Sequence, residues 1–173
     1  MPSRLRVPLG YLTGVAVLAL ARPVPILVVV GLVLAVAGEG IRLWASGHIE
    51  KGRSLATGGP YAHTRNPLYL GSVVMALGAA VASASPWVVL AVCAYLAAFY
   101  PSVVRSEAAF LRSRFPAGYE EWSRAVPLFL PRPTPGGPRL TAFDWKRVRQ
   151  NREWRAAAAV PAVGILFYLR SLL

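Results

Sequence analysis

Long apolar stretches, separated by polar segments, dominate this chain of 173 residues. They occupy residues 7–21, 23–38, 68–85, 86–104 and 156–173, and only the last contains a charged residue, Arg170. A helix that crosses a membrane needs about 20 apolar residues, a length that the last three stretches approach and the first two do not. The pattern predicts an all-α fold, a polytopic membrane helical bundle of about five transmembrane helices.

The two short stretches are separated by Arg22 and Pro23. One continuous helix through both would bury Arg22 in the middle of the membrane at a cost of several kcal/mol. A helical hairpin over residues 1–38 avoids that cost, because Arg22 can reach the far interface; a re-entrant element is the alternative. A signal peptide over residues 1–21 is a further alternative, but no small-residue cleavage site follows it, which favours a retained helix.

Composition and charge agree with a membrane location. Hydrophobic residues make up 55% of the chain and charged residues 15%, which is unlike the balance of a soluble domain. If all five stretches span, seventeen of the nineteen basic residues fall on one face, and the positive-inside rule makes that face cytoplasmic. The net charge of +12 thus has a membrane explanation, and because the basic residues flank apolar spans we predict no nucleic-acid partner.

Several common kinds of chemistry lack their motifs. Cys93 is the only cysteine and lies inside an apolar stretch, while His48 and His63 have no thiol or carboxylate cluster at ligand spacing. We therefore predict no metal site. The sequence also has no glycine-rich dinucleotide fingerprint, phosphate-binding loop or nucleophile elbow.

The polar segment before the third apolar stretch concentrates candidate site residues. Residues 40–45 continue the second helix, and a cluster of turn-forming residues follows at 54–60. Pro67 fits the first turn of a helix and Asn66 its N-cap, so Tyr61, His63 and Arg65 gather at that helix N-terminus, which favours anions. Each also has a structural interpretation, as an interfacial residue or a topology signal.

The second polar segment follows the fourth stretch. Val104, Leu111 and Phe115 share one helical face, and Pro116 predicts a bend with a helix restarting around Tyr119. Glu107 lies just beyond the apolar stretch, where a carboxylate has either a salt-bridge partner, such as Arg105, or a functional role. Residues 131–150 are rich in Pro, Gly and Arg, which predicts an irregular connection along the cytoplasmic surface.

Two motifs in these segments resemble those of a known superfamily. Gly59-Pro60-Tyr61, followed after three residues by Arg65-Asn66-Pro67-Leu68-Tyr69-Leu70-Gly71, is similar to the cofactor motif of the isoprenylcysteine carboxyl methyltransferase and phospholipid methyltransferase superfamily. Its second signature is matched in order and spacing by Glu107, Phe110-Leu111, Phe115, Tyr119, Trp122, Val126-Pro127 and Pro131, and the stretch before the first motif by Arg42 and Trp44.

The resemblance implies a small multi-pass enzyme that transfers a methyl group from S-adenosylmethionine to a lipophilic acceptor, with cytoplasmic cofactor-binding loops and C-terminal helices. Arg65 and the helix N-terminus suit the cofactor's carboxylate, Glu107 suits its ammonium, and the tyrosines suit its adenine or sulfonium. Glu107 and Arg105 are the candidate catalytic residues, and His63 or Glu107 would accept a proton from an amine acceptor. The candidate cofactor-binding residues are Tyr61, His63, Arg65, Asn66, Pro67, Tyr69, Gly71, Glu107 and Tyr119.

The acceptor stays open among a carboxylate, an amine, a thiol and a hydroxyl. The chain departs from the isoprenylcysteine enzymes at Asn66, Ala108, Pro116 and Trp122, which argues against a prenylcysteine substrate. Two other functions are compatible with the sequence: a membrane reductase related to sterol reductases that uses NADPH, and a non-enzymatic scaffold that binds anionic lipid.

We predict one domain over residues 1–173, made of the hairpin, a catalytic region at 39–131, a connection at 132–155 and a last span at 156–173. The protein is expected to be a multi-pass protein of the bacterial inner membrane, with the active site facing the cytoplasm and the bilayer and a lipophilic substrate as partners. The sequence leaves the oligomeric state open.

Overall fold

The computed structural model describes residues 2–50, 53–138 and 141–172. Six residues lie outside the described part: Met1, Lys51, Gly52, Arg139, Leu140 and Leu173. The predictions that concern Lys51, Arg139 and the end of the last span at Leu173 therefore rest on the sequence alone.

The described part of the chain contains seven α-helices and one 3₁₀ turn, joined by turns and irregular segments and without a strand, which confirms the all-α prediction. Five of the seven helices begin at a proline, whose missing N–H costs nothing in a first turn. The elements are α1 (Pro2–Leu20), α2 (Pro25–Ser46), the 3₁₀ turn (Gly59–Ala62), α3 (Pro67–Ala82), α4 (Pro86–Arg114), α5 (Pro116–Ala125), α6 (Trp145–Gln150) and α7 (Trp154–Arg170).

Two helices of the described chain, α2 and α4, are long and apolar enough to cross a membrane. The second apolar stretch, expected to be short, lies in a helix of 22 residues because the helix continues through residues 40–45, as that segment's pattern predicted. The third stretch forms a helix of only 16 residues, since the chain turns after Ala82, and α7 has 17. A total of about five spans is therefore not confirmed.

The chain forms two compact units, one of which contains Met1–Glu39, Ser72–Val103 and Ala156–Leu173. Within this unit, α1 and α2 are separate helices, as predicted, and the Arg22 backbone N–H in the break between them donates to the Ser83 carbonyl at 2.8 Å. Helices α2 and α3 touch at two glycines: a methyl group on Gly78 would lie 2.6 Å from the Gly31 carbonyl oxygen. Small residues at such a crossing allow close backbone approach, which is typical of helices packed in lipid.

The other unit contains Gly40–Gly71 and Val104–Arg155. Its core is a small cluster of Ala45, Tyr61, Tyr119, Trp122 and Val126. The predicted bend is present, because α4 ends at Arg114, but the next helix restarts at Pro116 and not around Tyr119. The earlier start follows from the fixed φ of proline, which suits the first helical position.

The expected irregular connection over residues 131–150 is partly wrong, because it contains helix α6. The Asp144 side chain caps this helix by accepting from the Lys146 N–H at 2.7 Å. Arg147 pairs with Glu50 at 2.8 Å, and the Asn151 amide donates to the Ser46 carbonyl at 3.0 Å. These bonds hold α6 against the end of α2. The assignment of residues 1–173 to one domain stays a prediction.

Candidate functional site

A cavity of about 610 Å³ lies within the unit that contains both sequence motifs. Ligand sites usually measure about 300–1,000 Å³, so the volume suits a cofactor-sized molecule. Its wall combines charged, polar and apolar side chains from Arg42, Ile49, Ser54, Leu55, Ala56, Tyr61, Arg65, Asn66, Pro67, Leu68, Tyr69, Glu107, Phe110, Leu111, Trp122 and Glu153.

The first motif is held in place by backbone contacts. Gly59 has φ +56°, a conformation that suits glycine, and starts the buried 3₁₀ turn that carries Tyr61. The Trp122 indole N–H donates to the Tyr61 carbonyl at 3.0 Å, which ties α5 to this turn. Asn66 precedes α3 at its N-cap position, where its carbonyl accepts from the Leu70 N–H and its side-chain amide donates to the Leu128 carbonyl at 2.9 Å.

Arg65 is fixed at one end and available at another. Its Nη1 donates to the Tyr119 hydroxyl at 2.7 Å, and its guanidinium carbon lies 5.6 Å from the Tyr119 ring centre. Its Nε is buried and has no hydrogen-bond partner among the described residues. A buried charged donor without a partner is costly, so Nε is suited to an acceptor atom of a bound ligand.

Tyr61 presents a second buried donor on the same wall. The residue is 5% exposed, and in the part of the chain that the structure describes its hydroxyl has no hydrogen-bond partner. Burial raises the pKa of Tyr61 strongly, and the nearby negative charges of Glu107 and Glu153 raise it further. The hydroxyl therefore keeps its proton at physiological pH and is available to donate a hydrogen bond.

The two candidate catalytic residues, Glu107 and Arg105, differ in their position relative to the cavity. Glu107 is on the cavity wall, whereas Arg105 is exposed and is not. The ion pairs of the described residues include Arg42–Glu153, Arg112–Glu120 and Arg147–Glu50, and none of these is the alternative pairing of Glu107 with Arg105. Glu107 remains a carboxylate on the wall, next to a neutral tyrosine.

The ion pair between Arg42 and Glu153 was not predicted from the sequence. Arg42 Nη2 lies 2.9 and 2.7 Å from the two carboxylate oxygens, and its Nε lies 3.2 Å from one of them. Glu153 is 5% exposed and is 111 positions away in sequence. The signal that singled out Glu107, a carboxylate beside an apolar stretch, applies equally to Glu153, which comes three residues before residue 156.

The structure brings most but not all of the predicted cofactor residues to this cavity. Tyr61, Arg65, Asn66, Pro67, Tyr69 and Glu107 line it. Tyr119 contacts it indirectly through Arg65, and Gly71 is buried elsewhere in α3. His63 is not on the wall, because its Nδ1 lies 2.8 Å from the Arg132 carbonyl oxygen and its ring contacts Trp44.

The described residues contain no group of three or more His, Cys, Asp or Glu side chains that could hold a metal ion. The polar groups on the wall are instead guanidinium, carboxylate, hydroxyl and amide groups, which recognise an organic ligand with both positive and negative parts.

The model of one protein family, described as phospholipid methyltransferase, matches residues 25–118. The chain belongs to the phospholipid methyltransferase family. The match includes Tyr61, Arg65 and Glu107 and confirms the superfamily that the two motifs resemble, while Glu153 lies beyond its end. No curated protein and no solved structure matches the chain. Together with the two long apolar helices, membership of this family indicates a membrane methyltransferase.

Proposed function

We propose that the protein transfers the methyl group of S-adenosylmethionine to a lipophilic acceptor and that the cavity beside Arg65 holds this cofactor. The observation that carries the proposal is the presence of two buried, unpartnered donors, Tyr61 Oη and Arg65 Nε, on one cavity wall of a methyltransferase-family chain. Donors that have lost water without gaining a partner are the groups that a ligand would satisfy.

The wall residues fit the chemical groups of this cofactor. The Arg65 guanidinium would bind its carboxylate, and Glu107 would bind its ammonium through a charge-assisted hydrogen bond. Tyr61 would donate to an adenine nitrogen or a ribose oxygen. Leu55, Phe110 and Leu111 supply apolar surface for the remainder. Among the predicted site residues, His63 and Arg105 are left without a direct role in this arrangement.

The residues of the chain would serve the transfer mainly by alignment. When bound, S-adenosylmethionine supplies an electrophilic methyl group, and an in-line displacement needs the acceptor placed behind it with water excluded. A carboxylate or thiolate acceptor needs no base. For an amine or hydroxyl acceptor, Glu107 is the wall residue able to take the released proton. The acceptor class is left to experiment, as are the reductase and scaffold alternatives.

A calorimetric titration of the detergent-purified protein separates the three functions. S-adenosylhomocysteine, the demethylated product, should bind with one site per chain, and NADPH should produce no saturable heat. Binding of NADPH alone would favour the reductase. Absence of binding by both ligands, in protein that gives a cooperative thermal transition, would leave only the lipid-binding scaffold.

We also propose that the enzyme is a multi-pass protein of the bacterial inner membrane whose cavity faces the cytoplasm, because seventeen of the nineteen basic residues fall on one predicted side. Single cysteines at Arg22 and Arg112, introduced after Cys93→Ala, should react differently with an impermeant maleimide in intact cells. Arg22→Cys should be labelled at once and Arg112→Cys only after lysis. Labelling of Arg112→Cys in intact cells would reverse the orientation.

A further inference from the structure

The segment between the cavity residues and the last apolar stretch has a surface that the proposed methyl transfer does not use. Three large aromatic side chains project from it: Phe143 is 38% exposed, Trp145 66% and Trp154 57%. Phe143 packs edge-on against Trp145 at 5.0 Å between ring centres and against His48 at 5.8 Å. An exposed aromatic group of this size marks an interaction surface.

Positive charge surrounds the aromatic side chains. Lys146, Arg149, Arg152 and Arg155 are exposed, and none belongs to an ion pair among the described residues. The guanidinium carbon of Arg155 lies 5.5 Å from the Trp154 ring centre. We call the surface formed by residues 143–155 the aromatic–basic surface.

The two acidic residues of the same segment are occupied internally. Asp144 caps α6 through the Lys146 backbone N–H, and Glu153 pairs with Arg42 at 2.7 Å. Neither is free to neutralise the exposed cations. The only arginine of the segment with a carboxylate partner, Arg147, reaches Glu50 from the inner side of α6, where Val148 is also buried. The exposed charged side chains of the segment, Lys146, Arg149, Arg152 and Arg155, are therefore all cationic.

The surface is rigidly held. The Asp144 N–H donates to the Gly47 carbonyl at 3.0 Å, the Arg147 guanidinium binds Glu50, and the Asn151 amide bonds to the end of α2. Because the aromatic rings are already held in place, they lose little conformational entropy when they are transferred from water into another environment.

We propose that the aromatic–basic surface lies in the headgroup layer of the protein's own membrane and binds anionic phospholipid. Tryptophan favours that layer because its ring is apolar and its N–H is polar, and basic residues close to an anionic leaflet are attracted to it. Trp154 directly precedes the apolar stretch at residues 156–173, which the sequence predicts to be the last span. A single-stranded nucleic acid would also offer phosphates to the cations and bases to the aromatic rings, but the position of the segment beside an apolar stretch favours lipid.

Fluorescence quenching in lipid nanodiscs tests this proposal independently of methyl transfer. The protein is placed in nanodiscs of phosphatidylcholine alone or with phosphatidylglycerol, each with brominated acyl chains, and the contribution of Trp145 is taken as the difference between the parent and Trp145→Phe. We expect brominated lipid to quench Trp145, at least twofold more strongly with phosphatidylglycerol, and acrylamide to quench it less. The difference isolates Trp145, so the other four tryptophans do not contribute to it.

A charge-matched pair of variants isolates the basic residues. Lys146→Ala with Arg149→Ala should abolish the effect of phosphatidylglycerol, whereas Arg114→Ala with Arg124→Ala, which removes two exposed charges elsewhere in the unit, should retain it. Equal acrylamide quenching of Trp145 in both lipids, without quenching by brominated lipid, would overturn the proposal. So would protection of Trp145 by an added oligonucleotide but not by phosphatidylglycerol. Thermal unfolding of both pairs checks that neither has lost its fold.

Discussion

Replacing Arg65 by alanine should weaken binding of S-adenosylhomocysteine by about ten- to hundredfold, since a charge-assisted hydrogen bond contributes roughly 1.5–3 kcal/mol. The substitution removes the buried Nε donor and the bond to Tyr119 together. Glu107→Gln should produce a loss of similar size, because the amide keeps the shape of the side chain and removes the charge that would bind the cofactor's ammonium. Affinity is measured by titration calorimetry and fold by thermal unfolding, on the same preparations.

The chain provides matched controls for both variants. Arg112 lies over the same tyrosine ring as Arg65, with 5.5 Å between its guanidinium carbon and the ring centre, but it is not on the cavity wall. Glu120 is likewise an exposed carboxylate paired with Arg112. Arg112→Ala and Glu120→Gln should therefore leave affinity within about twofold of the parent, as expected for an exposed pair. If Arg65→Ala and Glu107→Gln behave like these controls, the site assignment is wrong, whatever the reaction.

Replacing Glu153 by alanine should lower the free energy of unfolding by roughly 1.5–3 kcal/mol, because it leaves the partly buried Arg42 guanidinium without its bidentate partner. The exposed Arg112–Glu120 pair gives the comparison, and Glu120→Ala should cost less than about 1 kcal/mol. Thermal unfolding in the same detergent measures both.

A double-mutant cycle shows whether the cost belongs to the pair. Arg42→Ala combined with Glu153→Ala should be less destabilising than the sum of the single variants, since either substitution alone already breaks the pair. Strict additivity would mean that each residue acts through other contacts.

Local sequence signals were sufficient for much of the fold. Pro67 starts α3 as predicted, and Arg22 with Pro23 indicated the break between α1 and α2. Helix length was less predictable. The turn after Ala82 depends on Ser83, whose side chain bonds back to the Ala80 carbonyl at 2.6 Å, a competition between side chain and backbone that hydropathy does not detect.

The residues that line the cavity could be predicted where they belong to one local motif, but not where segments far apart in sequence come together. Tyr61, Arg65 and Asn66 lie within six positions, and the residue types around them predict a turn before α3. Glu153 reaches Arg42 across 111 positions because α6 folds back onto α2, and no periodicity in either segment encodes that approach. His63 is adjacent to the motif but does not line the cavity, because its ring turns to the Arg132 carbonyl.

We propose above all that this cavity supports methyl transfer to a lipophilic acceptor. The most direct test incubates the reconstituted protein with S-adenosylmethionine carrying a tritiated methyl group, in vesicles made from bacterial polar lipid extract, and counts the label that partitions into organic solvent. We predict time-dependent labelling of the lipid fraction that is lost in Arg65→Ala and retained in Arg112→Ala. Labelling of the lipid fraction at the same rate in Arg65→Ala, or no labelling by a parent protein that binds S-adenosylhomocysteine, would contradict the account.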